Sequence, residues 1–418
     1  MSLVATLGGA VRSLVRSWNS FFFTPQSATP IGLYRIVYGL IVITDLLLQR
    51  GDWLAWYGVN GFVRFETLLK ITPRRNLGLF AIIPQDDSWI QAFFWIFVVF
   101  AVFLTVGFLS RFSSVVVFVC FSSILRRNGY IIHSGDTLLR ATGFFLMFAP
   151  TGAALSVDRL LRLWRGSEGL EKEPCWPWAQ RMIQIQMSLM YFSTFAWKTI
   201  GSDWRDGSAL YYTTRLLQFQ RFPTPTLENG LVLRLATWSA LSVEFAAGVL
   251  VWVRKLRYWV LLAGVCLHLS IEYSMNIPLF QWVAMACYIT FIDPADLTRA
   301  WAWVRRHLVR PLGEPAEVLY DGQCQRAARL ANVLRAIDVL QRLNVVDLRS
   351  SETGHSWPVS ADAQQERPIV ISRRGSVFEG WRGILAISRL VPLLWPLAPL
   401  SLVLSQPKPP FHVAKAAK

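Results

Sequence analysis

The stretch FAWKTIGSDWRDGSALYY, residues 195–212, carries an apolar run into Lys198 and follows it with Asp203, Trp204, Arg205 and Asp206. A lysine at the mouth of an apolar cavity sheds part of its hydration, and a lysine brought close to neutrality takes a proton as a general base. Arginine cannot do this, because its guanidinium stays charged. Asp203 and Asp206 would oppose that activation if they paired with the amine. The competing reading makes Lys198 an anchor at the membrane–water boundary, flanked by Trp197 and Trp204.

RRNGYIIHSGDTLLR, residues 126–140, offers a second set. His133 and Asp136 stand three apart, which puts them on one face of a helix, and the acid would then orient the imidazole for acid–base work. Gly135 between them argues equally for a loop, with Asp136 capping the helix that follows. Arg126, Arg127 and Arg140 either hold an anion or a quinone oxygen or mark the membrane boundary. His268 and Glu272, four apart, also share a helix face. A metal would need a third ligand, and no HExxH-like spacing appears, so the expectation is a buried hydrogen-bonded pair and no metal site. Cys324, in LYDGQCQRAARL, sits where a strand ends and a helix begins, a place that stabilises a thiolate. Dithiol exchange needs a second cysteine three residues on, and that position is Ala327. Cys120, Cys175, Cys266 and Cys287 read mostly as small apolar packers.

Such groups need elements to hold them. The chain has 418 residues, of which 53% are hydrophobic, 14% aromatic and only 16% charged, with 19 tryptophans. A soluble domain carries roughly a quarter charged residues, and tryptophan in this number suits interfacial belts. The fold class expected is an α-helical polytopic membrane protein with a small C-terminal α/β domain. About eight spans, of roughly the 20 residues a bilayer needs, fall near 31–49, 88–108, 113–130, 137–154, 180–199, 230–253, 257–275 and 277–293. The Trp-, Gly- and Pro-rich segment 51–87 is expected to fold against the membrane. The opening VATLGGAVRSLVRSWNSFFF has arginines inside its apolar run and reads as a helix lying on the membrane surface rather than as a signal peptide.

The net charge of +16 would ordinarily suggest nucleic acid. Here the basic residues sit in short loops, as insertion topology requires, so no nucleic-acid partner is expected. Arg159, Arg162, Arg165 and Lys172, then Arg254, Lys255 and Arg257, then Arg299, Arg305, Arg306 and Arg310 fall on one side if both termini are cytoplasmic. Lys198 and the 126–140 loop then emerge on the outer side of a bacterial inner membrane. Asp45, Glu244, His268 and Glu272 fall at the midplane or in the outer half, which suggests a shared polar cavity, because an ionisable group inside a span is costly. After residue 311 the pattern becomes strand, turn, helix, strand, then two strands and a helix. The organisation expected is a transmembrane domain over 1–310, an α/β domain over 314–406 and a basic tail over 407–418.

RRNGYIIHSGDTLLRATGFFLMFAP followed by YFSTFAWKTIGSDWRDGSAL resembles the bacterial membrane family related to vitamin K-dependent γ-glutamyl carboxylase, known as the horizontally transferred transmembrane (HTTM) domain, over residues 15–310. The resemblance implies that Lys198 is the base that deprotonates a reduced quinone (menaquinol or a vitamin K-like quinol), with O2 and CO2 as co-reactants. A histidine of the animal motif maps to His133, with Asp136 beside it. Arg126, Asn128, Arg140, Trp204 and His268 are the candidate substrate contacts. The implied partners are the lipid bilayer, a quinone, and a peptide or protein substrate. Residues 314–406 resemble the DCC family of thioredoxin-like oxidoreductases, whose YDGxCxxC stands here as Tyr320–Cys324 with Ala327 in the last place, a degenerate copy. The chain lacks a counterpart of the animal enzyme's large lumenal domain, which separates peptide carboxylation from quinone chemistry. The alternative function is non-enzymatic: a membrane scaffold, a transport component or a toxin-maturation partner built on the same helices.

Overall fold

The computed structural model describes residues 3–171, 174–309, 315–347, 369–371, 377–379 and 381–400. The expected basic tail, Lys172 and Arg310 lie outside the described residues. By its internal packing the chain divides into two units: Met1–Asp158 with Glu173–Pro294, and Arg159–Lys172 with Ala295–Lys418.

The first unit is helical. Its long elements are α1 (Leu3–Phe23), α2 (Thr29–Gln49), α3 (Asp87–Val106), α4 (Ser110–Arg127), α5 (Ser134–Leu146), α6 (Trp178–Ile200), α7 (Gly230–Gly248), α8 (Arg257–Ser274) and α9 (Phe280–Tyr288). Each of the eight expected spans overlaps one of the helices α2 to α9. Three helical stretches are long and apolar enough to cross a membrane by length and composition: Thr29–Tyr57, Asp87–Val106 and Gly230–Gly248. The rest are shorter or more polar. α5 has 13 residues, so it is about 20 Å long at 1.5 Å per residue. α6 carries Gln180, Arg181, Gln184, Gln186 and Lys198 along its length.

The helix ends are fixed by side chains. Asp86 accepts from the Ser88 amide at 2.8 Å and starts α3. Gly107 ends it in the left-handed conformation (φ 73°), which glycine adopts without a steric penalty. Asp158, in the first turn of the helix Val157–Arg165, accepts from the amides of Leu109 and Ser110, both at 2.8 Å, and so caps α4 from far along the chain. Asn229 accepts from the Leu231 and Val232 amides and starts α7. Satisfying these first amides matters most where water is scarce.

The core of this unit is aromatic, with Tyr34, Tyr38, Phe94, Phe97 and Phe121 almost completely buried. α3 also presents Trp95, Ile96, Val99, Val102 and Val106 outward. An apolar face of that extent marks a surface that meets lipid or another protein. The segment 51–87 folds as the short helices Trp53–Tyr57 and Phe65–Ile71 and a 3-10 turn over Arg74–Ala81. It is pinned by Trp53, whose indole donates to the Ile90 carbonyl at 3.1 Å. Arg35, fully buried in α2, donates to the carbonyls of Thr151 and Leu155, each at 2.5 Å. That charge inside the first apolar run went unremarked in the sequence.

The second unit holds α10 (Pro294–Val304), β1 (Ala316–Tyr320), α11 (Gln325–Ile337), β2 (Leu343–Asp347), β3 (Ile369–Ile371), β4 (Val377–Glu379) and α12 (Trp381–Ile387). α10 begins one residue before the unit boundary at Ala295. The sheet order is β2-β1-β3-β4. β1 runs parallel to β2 and antiparallel to β3, and β3 and β4 are antiparallel. The strand and helix order matches the sequence expectation. Val318, Leu334, Leu343, Ile387 and Val391 form its apolar core.

Candidate functional site

Lys198 lies in the last turn of α6. Its Nζ forms an ion pair with the Glu244 carboxylate on α7 and sits 4.5 Å from the centroid of the Trp204 ring. Trp204 belongs to the short helix Ser202–Asp206, which Gly201 separates from α6. Glu244 is buried, and its second oxygen, Oε2, has no hydrogen-bond partner among the described residues. Asp203 and Asp206 do not pair with the lysine. Asp203 accepts from the Ser202 hydroxyl at 3.2 Å, and Asp206 from the Ser208 amide at 2.8 Å. The Ser208 hydroxyl and amide hold the Asp206 carboxyl below the usual range. Trp197 points outward and is 74% exposed.

Tyr191 precedes Lys198 by seven residues, two helical turns along the same face of α6. Its hydroxyl is 2.5 Å from His268 Nε2 on α8 and 2.6 Å from the Tyr288 hydroxyl on α9. His268 Nδ1 is 2.5 Å from Gln281 Oε1. An amide oxygen only accepts, so Nδ1 carries the proton in the neutral ring and Nε2 accepts from Tyr191. Tyr288 then donates to Tyr191. All four side chains are buried. A chain of polar groups thus runs through the apolar bundle from Gln281 to Tyr288, beside the Lys198–Glu244 pair.

The expected His268–Glu272 pair does not form. Glu272 pairs instead with Arg221, from the segment between the short helix Ala209–Thr213 and α7. Residues four apart share a face but not a direction of reach. His268 turns into the bundle and is 2% exposed, while the Glu272 side chain is 22% exposed and reaches the flanking segment.

His133 and Asp136 do come together, as a reciprocal cap at the start of α5. His133 Nδ1 accepts from the Gly135 amide at 3.1 Å, and Asp136 accepts from the His133 amide at 3.1 Å. His133 Nε2 lies 3.5 Å from the Asp136 carboxylate. No hydrogen bond or ion pair joins either residue to Lys198. Arg127 is fully buried and donates to the carbonyls of Val63 and Gly58, each at 2.9 Å. Asn128 donates to the Trp56 carbonyl at 3.2 Å and accepts from the Tyr130 amide at 3.1 Å. Both tie the loop to the segment 51–87. Arg126 and Arg140 line a separate cleft of about 460 Å3. A larger apolar cleft of about 660 Å3 lies between α1 and α6, beside Trp18, Phe21, Leu189, Phe192 and Trp252. Lys198 is not in its lining.

Among the described residues no group of three or more His, Cys, Asp or Glu side chains could hold a metal ion. In the second unit, Cys324 stands at the N-cap of α11 with its amide donating to the Asp321 carbonyl at 3.1 Å, and Ala327 is buried one turn on.

The family model of the HTTM domain matches residues 23–295. The chain belongs to the HTTM family. The protein YitO of Bacillus subtilis (strain 168), itself described as uncharacterized, is 22% identical over 296 residues, covering 69% of this chain and 92% of that protein. No solved structure matches the chain. Within the HTTM domain, sequence reasoning singled out Lys198, Glu244 and His268 but missed Tyr191, Gln281 and Tyr288. Tyr191 could have been found by stepping two turns back from Lys198 on one helix face. Gln281 is a lone amide in the apolar run PLFQWVAMACY and gave a comparable signal.

Proposed function

We propose that this HTTM protein is a quinol-dependent membrane enzyme in which Lys198 takes a proton from a bound hydroquinone. The observation that carries the reading is the pairing of Lys198 with Glu244 next to the Tyr191–His268–Gln281 chain. As an ion pair with Glu244 the lysine is held protonated, so it becomes the base only by first handing that proton to Glu244, whose Oε2 has no partner among the described residues. Tyr191 and Tyr288 supply donors in a water-poor interior, where hydrogen bonds act strongly on developing charge. The apolar cleft beside Phe192 offers room for an isoprenoid tail near the same helix. A quinol, O2 and CO2 are the co-reactants the family resemblance carries over. What this chain supplies is the proton acceptor and its surroundings. The reading includes eight spans in the bacterial inner membrane with both termini cytoplasmic. It also includes a C-terminal thioredoxin-like domain, supported by the sheet order β2-β1-β3-β4 with a parallel β1–β2 pair, that lacks its second thiol.

A second reading, a non-enzymatic scaffold, is favoured by two contacts: the ion pair that ties α6 to α7, and the cap that His133 and Asp136 make. The full chain, purified and reconstituted with menaquinol, separates the two. The enzyme reading expects quinol consumption and an epoxide product by chromatography under air and bicarbonate. Lys198→Ala and Lys198→Arg should both abolish it, because a guanidinium cannot accept the proton. Full turnover in Lys198→Arg ends the base assignment. No turnover in the wild type leaves the scaffold.

A further inference from the structure

We propose that the cleft between α4, α5 and α6 binds the phosphate head group of an anionic membrane lipid through Arg126 and Arg140, with an acyl chain along its phenylalanines. The inference is independent of the quinol reading.

The cleft is cationic at one end. Arg126 makes a single long contact, 3.5 Å to the Asn76 carbonyl. Arg140 has no hydrogen bond or ion pair among the described residues. No acidic side chain lines the cleft. Two guanidiniums in one cleft without a counter-charge repel each other and leave donors open to an anion. A phosphate accepts from both in short, charge-assisted bonds. The Ser122 hydroxyl, buried and without a partner, lines the same cleft and is a further donor for a phosphate oxygen.

The other end is apolar. Arg126 is in the last turn of α4, and Phe118 lies eight residues before it, about 12 Å along the helix axis. Arg140 is in the second turn of α5, and Phe144 follows one turn later. α4 and α5 follow one another across the short 128–133 loop, so in each helix the arginine lies nearer the loop than the aromatic residue. A free phosphate would use only the first half of this arrangement. A neutral quinone ring would leave the guanidiniums without an ionic partner. A lipid with an anionic head uses both halves.

The test is native mass spectrometry of the full chain in detergent, titrated with phosphatidylglycerol and with phosphatidylcholine of the same acyl chains. The wild type should hold phosphatidylglycerol roughly tenfold or more tightly than phosphatidylcholine. Arg126→Gln with Arg140→Gln should remove the preference. The charge-matched control Arg74→Gln with Arg75→Gln should keep it, which separates a site from general attraction to a basic protein. Phe144→Ser should weaken the lipid while leaving competition by inorganic phosphate unchanged. If the double glutamine variant does not fold, Arg140→Lys, which keeps the charge but not the fork, should give an intermediate preference. Equal binding of the two lipids by the wild type overturns the proposal. So does loss of the preference in the control pair, or an unchanged preference without the two cleft arginines. Unaltered lipid affinity in Phe144→Ser marks an adventitious anion site and overturns it as well.

Discussion

Lys198 has two partners of opposite character, the carboxylate of Glu244 and the indole face of Trp204. Its side chain is 30% exposed and that of Glu244 only 11%. Removing the lysine therefore strands the more buried charge. Lys198→Ala should destabilise the protein by about 1–3 kcal/mol, less than a fully buried pair because the lysine side is partly screened. Adding Glu244→Ala should recover part of that loss, and melting temperatures of the single and double variants measure the coupling. A double variant as unstable as the sum of the singles would show that the pair is not coupled. The corrected pairing at His268 gives a second contrast. His268→Leu leaves Gln281 without its buried partner and the Tyr191 hydroxyl with Tyr288 alone, and should cost about 2–4 kcal/mol. Glu272→Gln loses a partly exposed ion pair and should cost under about 1 kcal/mol. Equal losses on thermal melting would contradict the inward direction of His268. At this scale most charged residues were legible, because each stood out against an apolar run, but Arg35 was passed over. The tyrosines did not stand out, since a buried hydroxyl and a packing ring look alike in one dimension.

Elements were more legible than partners. The helices α2 to α9 were readable from apolar runs and loop charge, and the α/β order after residue 311 from turn residues such as Asp321-Gly322. The cap at Asp136 was legible, but that of α4 was not, because Asp158 reaches 48 and 49 residues back to hold its start. Long-range capping has no local signature. In the second unit Asp338 does similar work on β2, accepting from the amides of Arg342 at 2.8 Å and Leu343 at 2.7 Å. Burial raises its carboxyl above the ordinary 3.8, against the lowering effect of those two amides and of Arg342. A carboxyl raised in the folded state binds its proton more tightly there. The stability it adds is full below the ordinary value and is lost as pH rises through the raised one. Hydrogen exchange of the full chain, corrected for intrinsic rates, should show the 338–347 peptide losing protection as pH climbs from about 3.8 toward neutrality, then levelling. Protection that rises over that interval would contradict the direction of the shift.

At the scale of the molecule, the HTTM domain supplies the helical bundle and the α/β unit is appended to it. Orientation was read from the loop arginines and lysines, and a chemical test is direct. In a variant keeping only Cys324, an impermeant maleimide should label the protein after spheroplasts are permeabilised and not before. Labelling of intact spheroplasts would invert the topology. The polar interior was foreseen as a cavity at a common depth, but its connectivity was not, because α6, α8 and α9 bring Tyr191, His268, Gln281 and Tyr288 together only after the bundle closes.

Arg35 carries a consequence for how the chain is made. Its carbonyl partners at Thr151 and Leu155 lie 116 and 120 residues downstream. At roughly 5–20 residues per second, the ribosome needs about 6–24 s to deliver them. During that interval the nascent α2 holds a guanidinium that its own helix cannot satisfy. α2 leaves the ribosome before α3, α4 and α5 but is not finished before them. It waits in the insertion machinery, or at the lipid edge beside it, until the turn after α5 emerges to receive the charge.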